Sequence, residues 1–561
     1  MDWLANPGWL LIAGGLLLPL LPQPLRRLLP ILAPAAGIAW LWLMPRSLTV
    51  QAEFMGMLLT PLRVDGLSFI FALIFLIAAL LAGIFMAHLR ERLEPASAMV
   101  YAGAAVAAVL CGDLLTLFVY WELTAIASAL VILANGSQNS RLVIRYLLIQ
   151  VSSGLLLMAG AVVHIQATGS ADFGHLGLEA PGGLLILLAF GMKAAFPLLH
   201  NWLQDAYPAA SPSGTVVLSA FTTKLAIYAL ARGYAGTEIL IPIGAAMTAF
   251  PIFYAVIEND LRRVLAYSLN NQLGFMVVGV GIGSELALNG TAAHAFTHIL
   301  YKALLFMSMG AVLFRVGTVN GSDLGGLFRS MPFTAVFCSI GAASISAFPL
   351  FSGFVSKSLI LSAVAYEGHW VVWLMLLFAS AGVFHHSGIK IPYFAFFAHD
   401  SGLRCKEAPG NMLIAMGLTA AACIGIGCAP GLLYALLPYA VDYVPYTASH
   451  VLSQTQLLLF SALAFTVLMR TGIYPPELRS TNLDTDWFYR RLAPHKWNGL
   501  RAAWQPVQLG TANLAQRLLR HTTAAAQRHG GDQGFIGGTP AIGWIAAAFL
   551  LLAAMLGAAL V

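Results

Sequence analysis

The run 290-GTAAHAFTHILYKALLFMSMGAVLF-314 decides the fold class of this chain. It holds 25 residues with no acid and a single lysine, Lys302. At 1.5 Å per residue a helix of that length reaches about 37 Å, more than the ~30 Å of a bilayer's hydrocarbon core. Inside the run, His294, His298 and Lys302 are spaced four and four. Steps of four advance a helix by about 6 Å and turn it by only about 40°, so the three form one stripe about 12 Å long. One histidine on an apolar face is ordinarily a hydrogen-bonded core residue. Three ionisable groups in one stripe of a spanning helix point instead to proton transfer inside the bilayer, since histidine titrates near neutral pH unaided. His294 and His298 also have a metal-ligand spacing, but no carboxylate or cysteine accompanies them in sequence, and no metal is expected.

The rest of the chain has the same character. Of 561 residues, 59% are hydrophobic and 9% charged, and the mean hydropathy is +0.81. Soluble domains carry about 25% charge, so this chain lacks the polar side chains to cover a water-facing surface. Disorder is excluded by the same numbers. What remains is an all-α polytopic membrane protein. Cys111, Cys338, Cys405, Cys423 and Cys428 form no C-x-x-C pair and read as buried and inert. There is no G-x-x-x-x-G-K-S/T loop, so ATP is not the energy source. Gly279-Val280-Gly281-Ile282-Gly283 lies in an apolar segment without an acidic ribose partner and reads as helix packing. No cofactor is expected.

Candidate spans lie near 8–22, 29–44, 66–88, 98–112, 114–134, 143–165, 183–200, 214–233, 237–257, 264–283 and 290–314. Others lie near 332–350, 356–385, 411–430, 431–445, 455–472 and 541–561. Some are short or broken, which predicts about 14–16 transmembrane helices. No basic residue precedes the first run, and Arg26 and Arg27 follow it, so a cleaved signal peptide is not expected. Connections after odd-numbered segments, through the eleventh, hold Arg26, Arg27, Arg90, Arg92, Arg141, Arg145, Arg262, Arg263, Arg315 and Arg329. Connections after even-numbered ones hold Arg46, Arg63 and Arg232. Ten against three places the odd connections in the cytoplasm and the N-terminus outside.

Two regions are interrupted. In Phe196-Pro197 to Ser213-Gly214 an apolar run meets Pro197, Pro208, Pro212 and Lys193; the other runs from Phe348-Pro349 to Lys390-Ile391-Pro392. Broken helices in two halves predict inverted repeats around a midplane site. The expected organisation is N-terminal spans at 1–97, an ion-translocating core at 98–400 and further spans at 401–472. An interfacial segment at 473–540 and a final anchor at 541–561 complete it. In 473–540, eight basic residues face four acids, Glu477, Asp484, Asp486 and Asp532. Trp487, Phe488, Tyr489, Trp497 and Trp504 are interleaved, Trp497, Leu500 and Trp504 share a helical face, and Leu514 and Leu518 continue an apolar stripe. This reads as an amphipathic helix on the membrane surface; a cytoplasmic loop is the alternative, because Pro494 and Pro506 interrupt the pattern. Positive-inside bias accounts for the basic charge, and no nucleic-acid partner is expected.

A charge at mid-bilayer costs at least about 2.5–3.5 kcal/mol, so the ionisable residues inside apolar runs are functional candidates. Glu122 lies in Leu117-Phe118-Val119-Tyr120-Trp121-Glu122-Leu123 with no helix start nearby. Asp113, nine residues earlier, reads equally as a helix cap or a functional carboxylate. Lys193, Lys224 and Lys390 have snorkelling as the plain alternative, least convincing for Lys224 in mid-segment. Lys193 and Lys390 each stand shortly before a proline, where freed carbonyls or cavity water can solvate an ammonium.

These residues resemble the antiporter-like subunits shared by respiratory complex I, membrane-bound hydrogenases and Mrp-type antiporters. The matching runs are Asp113-Leu114-Leu115 to Trp121-Glu122 and Lys193-x3-Pro197-Leu198-x-His200-x-Trp202-Leu203-x-Asp205-Ala206. They continue with Thr223-Lys224, Asp260-Leu261-x-Arg263-x-Leu265-Ala266-Tyr267-Ser268, Lys302-Ala303-Leu304-x-Phe306 and Pro349-x3-Gly353-Phe354-x2-Lys357, covering roughly 100–400. Gly388-Ile389-Lys390-Ile391-Pro392-Tyr393-Phe394 and Leu483-Asp484-x-Asp486-Trp487 are most similar to the D-type subunit of the Mrp-type Na⁺/H⁺ antiporters. The resemblance implies that Glu122 tunes its partner Lys193 on a broken helix, that Lys224 and His298 relay, and that Lys390 is the terminal lysine. A lysine at 390 departs from the glutamate of the M-type subunit of complex I. Gln204 stands where the family's Trp-Leu-Pro-Asp has proline, and Leu269-Asn270-Asn271 replaces a small serine-rich run. The tail from about 473 looks more like the surface helix and anchor of the L-type subunit of complex I.

The reading is a proton-conducting subunit of a multisubunit antiporter in a bacterial cytoplasmic membrane. It exchanges protons for Na⁺ or another monovalent cation through Glu122, Lys193, Lys224, His294, His298, Lys302 and Lys390. Its expected partners are those ions, other membrane subunits and the bilayer. The alternative is the proton-pumping subunit of an NADH–quinone oxidoreductase or hydrogenase complex, itself without redox groups. A non-transporting scaffold has no reason to hold these charges in the bilayer.

Overall fold

Apolar runs bounded by caps, glycines and prolines give the chain its helices. The computed structural model describes residues 5–54, 56–474, 477, 478, 482, 484–530 and 542–559. It divides into two units, Met1–Asn482 and Leu483–Val561. The first unit opens with α1 (Gly8–Leu17), α2 (Gln23–Leu43) and a hairpin of β1 (Thr49–Phe54) and β2 (Met57–Arg63). Then come α3 (Gly66–Met86), α4 (Leu93–Val109), α5 (Leu114–Leu133) and α6 (Ser140–Thr168). The first broken region follows as α7 (Gly183–Lys193), α8 (Asn201–Ala209), α9 (Pro212–Ala220) and α10 (Thr222–Gly233). Next are α11 (Leu240–Ile257), α12 (Leu261–Ile282), α13 (Glu285–Val316), α14 (Pro332–Ile345) and α15 (Ser352–Tyr366). From α16 (Trp370–Val383) the helix continues through π-helical turns at Phe384–Ile389 and Tyr393–Phe397 around α17 (Lys390–Pro392). The unit closes with α18 (Gly410–Cys428), α19 (Gly431–Tyr434) and α20 (Ala448–Thr471).

The protein is an all-α polytopic membrane protein, with a single small hairpin among the described residues. Nine helices among the described residues are long and apolar enough to cross a membrane, and six more apolar helices have 10–17 residues. The expected 14–16 is therefore reached only when the short and broken helices are counted. Caps explain where helices begin. Asp65 and Ser68 form a capping box at α3, with both bonds 2.8 Å. Ser211 caps α9, whose first residue is Pro212. Asp260 caps α12 through the Arg262 and Arg263 amides. Asp113, left open in the sequence, is a cap: its carboxylate accepts from the Thr116 amide at 2.7 Å and from the Thr60 amide of β2 at 2.9 Å.

Two expected spans differ. The run 431–445 gives only the four-residue α19, because Pro438 and Pro445 remove backbone donors. Its irregular part is held by Asn289, which bonds both backbone groups of Tyr439. The run 356–385 is split between α15 and α16, because the chain turns at Gly368 with φ 77°. Among the cysteines, Cys111, Cys338 and Cys423 are buried, but Cys405 is half-buried and Cys428 exposed.

Both breaks expected from proline are present, and they are alike. Ala195-Phe196-Pro197-Leu198 ends α7 with φ 61° at Ala195 and 71° at Leu198. Ala347-Phe348-Pro349-Leu350 ends α14 with φ 58° at Ala347 and 73° at Leu350. Two left-handed residues flank a proline each time, so the chain reverses its hydrogen-bond pattern and starts a new helix.

The second unit is a π-helical turn at Phe488–Leu492 running into α21 (Ala493–Gly530), followed by α22 (Ile542–Ala559). Pro494 lies just after the π-helical turn, and both it and Pro506 are carried inside the helical run. The helical form of this segment is thus the one observed, with Trp497, Trp504, Leu514 and Leu518 exposed. Arg479, Leu483, Asp532, Ala541, Leu560 and Val561, and the side chains of Tyr489 and Leu500, lie outside the described residues.

Candidate functional site

Lys193 is the last residue of α7, placed there because the break at Ala195 ends the helix. Its side chain is fully buried. The amine donates to the Trp121 carbonyl at 2.6 Å and to Thr124 Oγ1 at 3.1 Å, both on α5, and lies 4.4 Å from the centre of the Trp121 ring. Trp121 is fixed in turn by its indole N–H on Ser153 Oγ, 3.0 Å, and Ser153 donates to the Ala189 carbonyl at 2.7 Å. Glu122 is the neighbouring carboxylate and the opposite charge that Lys193 feels. Its Oε1 is buried and accepts no hydrogen bond among the described residues. It presses on Gly154 of α6, where an added Cβ would collide with that oxygen. A lysine bonded to neutral partners beside a carboxylate with an unused oxygen can trade one arrangement for the other.

Lys224 stands in the first turn of α10, after the kink that separates it from α9. It does not snorkel: it is fully buried, and its amine donates to the Ser219 carbonyl at 2.7 Å. The stripe on α13 comes next and is wholly buried. His294 is well partnered, with Nδ1 3.1 Å from Ser356 Oγ and Nε2 3.1 Å from Gln272 Oε1. His298 and Lys302 have no hydrogen-bond partner among the described residues. Lys302 lies 5.8 Å from the centre of the Phe306 ring, and the His294 and His298 rings are 6.2 Å apart. Lys224 lies within electrostatic reach of His294, His298 and Lys302, and His298 lies within reach of the other three. The facing helix α12 supplies Asn270, Asn271 and Gln272, all fully buried.

Three further residues extend the series. Lys357, seen in the sequence only as part of a motif, donates to the carbonyl of Ile345, the last residue of α14, at 3.2 Å. Its charge reaches His294 and His298. His386 is fully buried in the π-helical segment, 2.9 Å from Ser387 Oγ, and feels the charges of Lys302, Lys390 and Lys357. The pair His385-His386 inside an apolar run was the available signal for it. Lys390 is fully buried, and its amine donates to the carbonyls of Val256 and Glu258 at 2.7 and 2.6 Å, at the end of α11. It also pairs with Glu477 at 2.9 Å, a partner far off in sequence for which no local pattern gave a sign. The structure therefore gathers the seven sequence-derived residues into two groups, Glu122 with Lys193 and the rest in one buried series ending at Lys390. Among the described residues, no group of three or more His, Cys, Asp or Glu comes together as a metal site.

The chain is similar to known proteins in sequence and in fold. Residues 111–384 match the family described as NADH:quinone oxidoreductase/Mrp antiporter, transmembrane. The chain is 32% identical over 315 residues to the D-type Na⁺/H⁺ antiporter subunit of Alkalihalophilus pseudofirmus, a match covering 52% of this chain and 63% of that one. It is 26% identical over 412 residues to hydrogenase-4 component B of Escherichia coli, covering 65% and 61% respectively. The chain thus spans less than two thirds of the length of these relatives. In fold it is similar to a chain of the Mrp complex from Dietzia sp., with a TM-score of 0.77, 23% identity, and 97% of this chain and 65% of that chain covered. A chain of respiratory complex I from Thermus thermophilus gives a TM-score of 0.67 at 23% identity, covering 78% of this chain and 99% of that one. Residues 111–384, which carry Glu122, Lys193, Lys224, His294, His298, Lys302 and Lys357, are the part of the chain that matches the NADH:quinone oxidoreductase/Mrp antiporter transmembrane family.

Proposed function

We propose that this chain is the proton-conducting subunit of a multisubunit monovalent cation/proton antiporter, with Na⁺ the first candidate cation. Its place is a bacterial cytoplasmic membrane, with the N-terminus outside and other membrane subunits beside it. The observation that carries this reading is the series of buried lysines and histidines from Lys193 to Lys390, with Glu122 at one end. Two like charges about 8 Å apart repel by about 2 kcal/mol at an effective dielectric of about 20. The lysines therefore cannot all be charged together at low cost. A proton taken up at one lysine favours release at the next, and the arrival or loss of charge at Glu122 and Lys193 biases the whole series. Moving one charge through 100 mV is worth about 2.3 kcal/mol, the same scale, so a cation gradient or membrane potential is strong enough to drive it.

The test uses inverted vesicles from an antiporter-deficient host expressing this chain with its flanking genes. A pH-sensitive dye should respond to added Na⁺, K⁺ or Li⁺, and Lys193→Ala should remove the response while the protein remains in the membrane. Full activity in that variant would sink the relay. The second reading, a redox-driven pump, is favoured by the likeness to hydrogenase-4 component B and by the complex I fold. It predicts no cation response and proton pumping that starts with an electron donor.

A further inference from the structure

The series of buried cations ends on a carboxylate outside the family match. After α20, Gly472 takes a left-handed turn, φ 71°, that sends the chain back toward the π-helical segment. Tyr474 is buried there, its ring 5.5 Å from that of His385 and 5.4 Å from that of Phe465. This turn delivers Glu477 to Lys390: Oε1 lies 2.9 Å from Nζ, and the glutamate side chain is only 7% exposed. Neither carboxylate oxygen accepts a further hydrogen bond among the described residues. The other nearby carboxylate, Glu258, is engaged elsewhere, with Arg263 Nε 3.8 Å away and the Asn259 amide on its Oε1 at 3.0 Å. Lys390 thus has Glu477 as its directly paired counter-charge, with the Glu258 carboxylate a second opposite charge within electrostatic reach.

We propose that Glu477 is the gating partner of Lys390, closing the relay at the end opposite Glu122 with a second carboxylate–lysine pair. The proposal rests on the reading of the chain as a proton conductor. While Lys390 is charged, Glu477 holds its ammonium in place. When Lys390 gives its proton to a water molecule, a hydronium forms, the amine becomes neutral, and Glu477 remains an anion without its partner. That largely buried anion then favours recharging of Lys390 from the His386 side. As Glu477 acts through Lys390, it is a positioning residue.

The test is the same vesicle assay, with proton conductance under an imposed potassium diffusion potential as a second readout. Glu477→Gln should lower proton movement at least tenfold with the subunit present in the membrane in normal amount. Glu477→Asp should recover most of the rate. In a Lys390→Ala background, Glu477→Gln should bring no further loss. The exchanged pair Lys390→Glu with Glu477→Lys should keep the subunit in the membrane but stay inactive. Wild-type rates in Glu477→Gln, or in the exchanged pair, would overturn the proposal and leave Glu477 a structural tie. A wild type that moves protons by neither readout would instead overturn the conductor reading, and the gate with it.

Discussion

Single side chains decide whether charge can rest inside this protein. Lys302 is the plainest case, a fully buried amine without a hydrogen-bond partner among the described residues. Such a group costs about 1–3 kcal/mol when left unsatisfied. Lys302→Met should therefore raise the melting temperature of the solubilised protein while abolishing cation-driven proton movement; a lower melting temperature would show that the lysine is structurally supported. Gly154 is the opposite case, an absence that makes room. Gly154→Ala would drive a methyl into the Glu122 carboxylate, costing about 1–3 kcal/mol as overpacking and displacing the acid. Transport should fall several-fold with the protein still inserted; an unchanged rate would show that the position of Glu122 is not critical. Much at this scale was legible in the sequence, because Glu122, Lys193, Lys224 and Lys302 are conspicuous in apolar runs. Glu477 was not, since its meaning comes from a partner 87 positions away, and His386 was passed over although it sits in an equally apolar run.

At the level of elements, the two Ala-Phe-Pro-Leu breaks are the organising feature. Proline made both regions legible as interruptions. The left-handed residues on either side were not, since alanine and leucine carry no sign of positive φ. The repeated tetrapeptide aligns the two halves, which hydropathy alone did not. Ala195 and Ala347 sit at φ 61° and 58°, where an L-residue pays about 1–2 kcal/mol and glycine almost nothing. Ala195→Gly and Ala347→Gly should each stabilise the protein by up to about 1 kcal/mol once glycine's own chain entropy is subtracted. Thermal unfolding in detergent checks this, and a loss of stability at both sites would mean the strain is absorbed elsewhere. The failed span at 431–445 teaches the converse: hydropathy alone passes a run that Pro438 and Pro445 keep from forming a helix.

For the whole molecule, composition settled the class at once, because 9% charge cannot cover a water-facing surface. The division at Asn482 was less legible: the composition shift sits near 473, yet Tyr474 and Glu477 belong with the first unit. A chain ending at Asn482 keeps every residue of the candidate site, Glu477 included. It should insert and accumulate in membranes at close to the full-length level, as membrane fractionation would show. Its degradation would mean that Leu483–Val561 is needed for the first unit to fold.

One consequence of the broken helices reaches beyond side chains. Lys193 ends α7, and Lys357 bonds the terminal carbonyl of α14. The Lys357 ammonium therefore meets the negative pole of a half-helix, a macrodipole equivalent to roughly half an elementary charge, whereas the Lys193 ammonium turns to α5. That counter-charge belongs to the peptide backbone, so it neither titrates nor disappears when acids are mutated. A survey that replaces every glutamate and aspartate would remove Glu122 and leave the pole beside Lys357 standing.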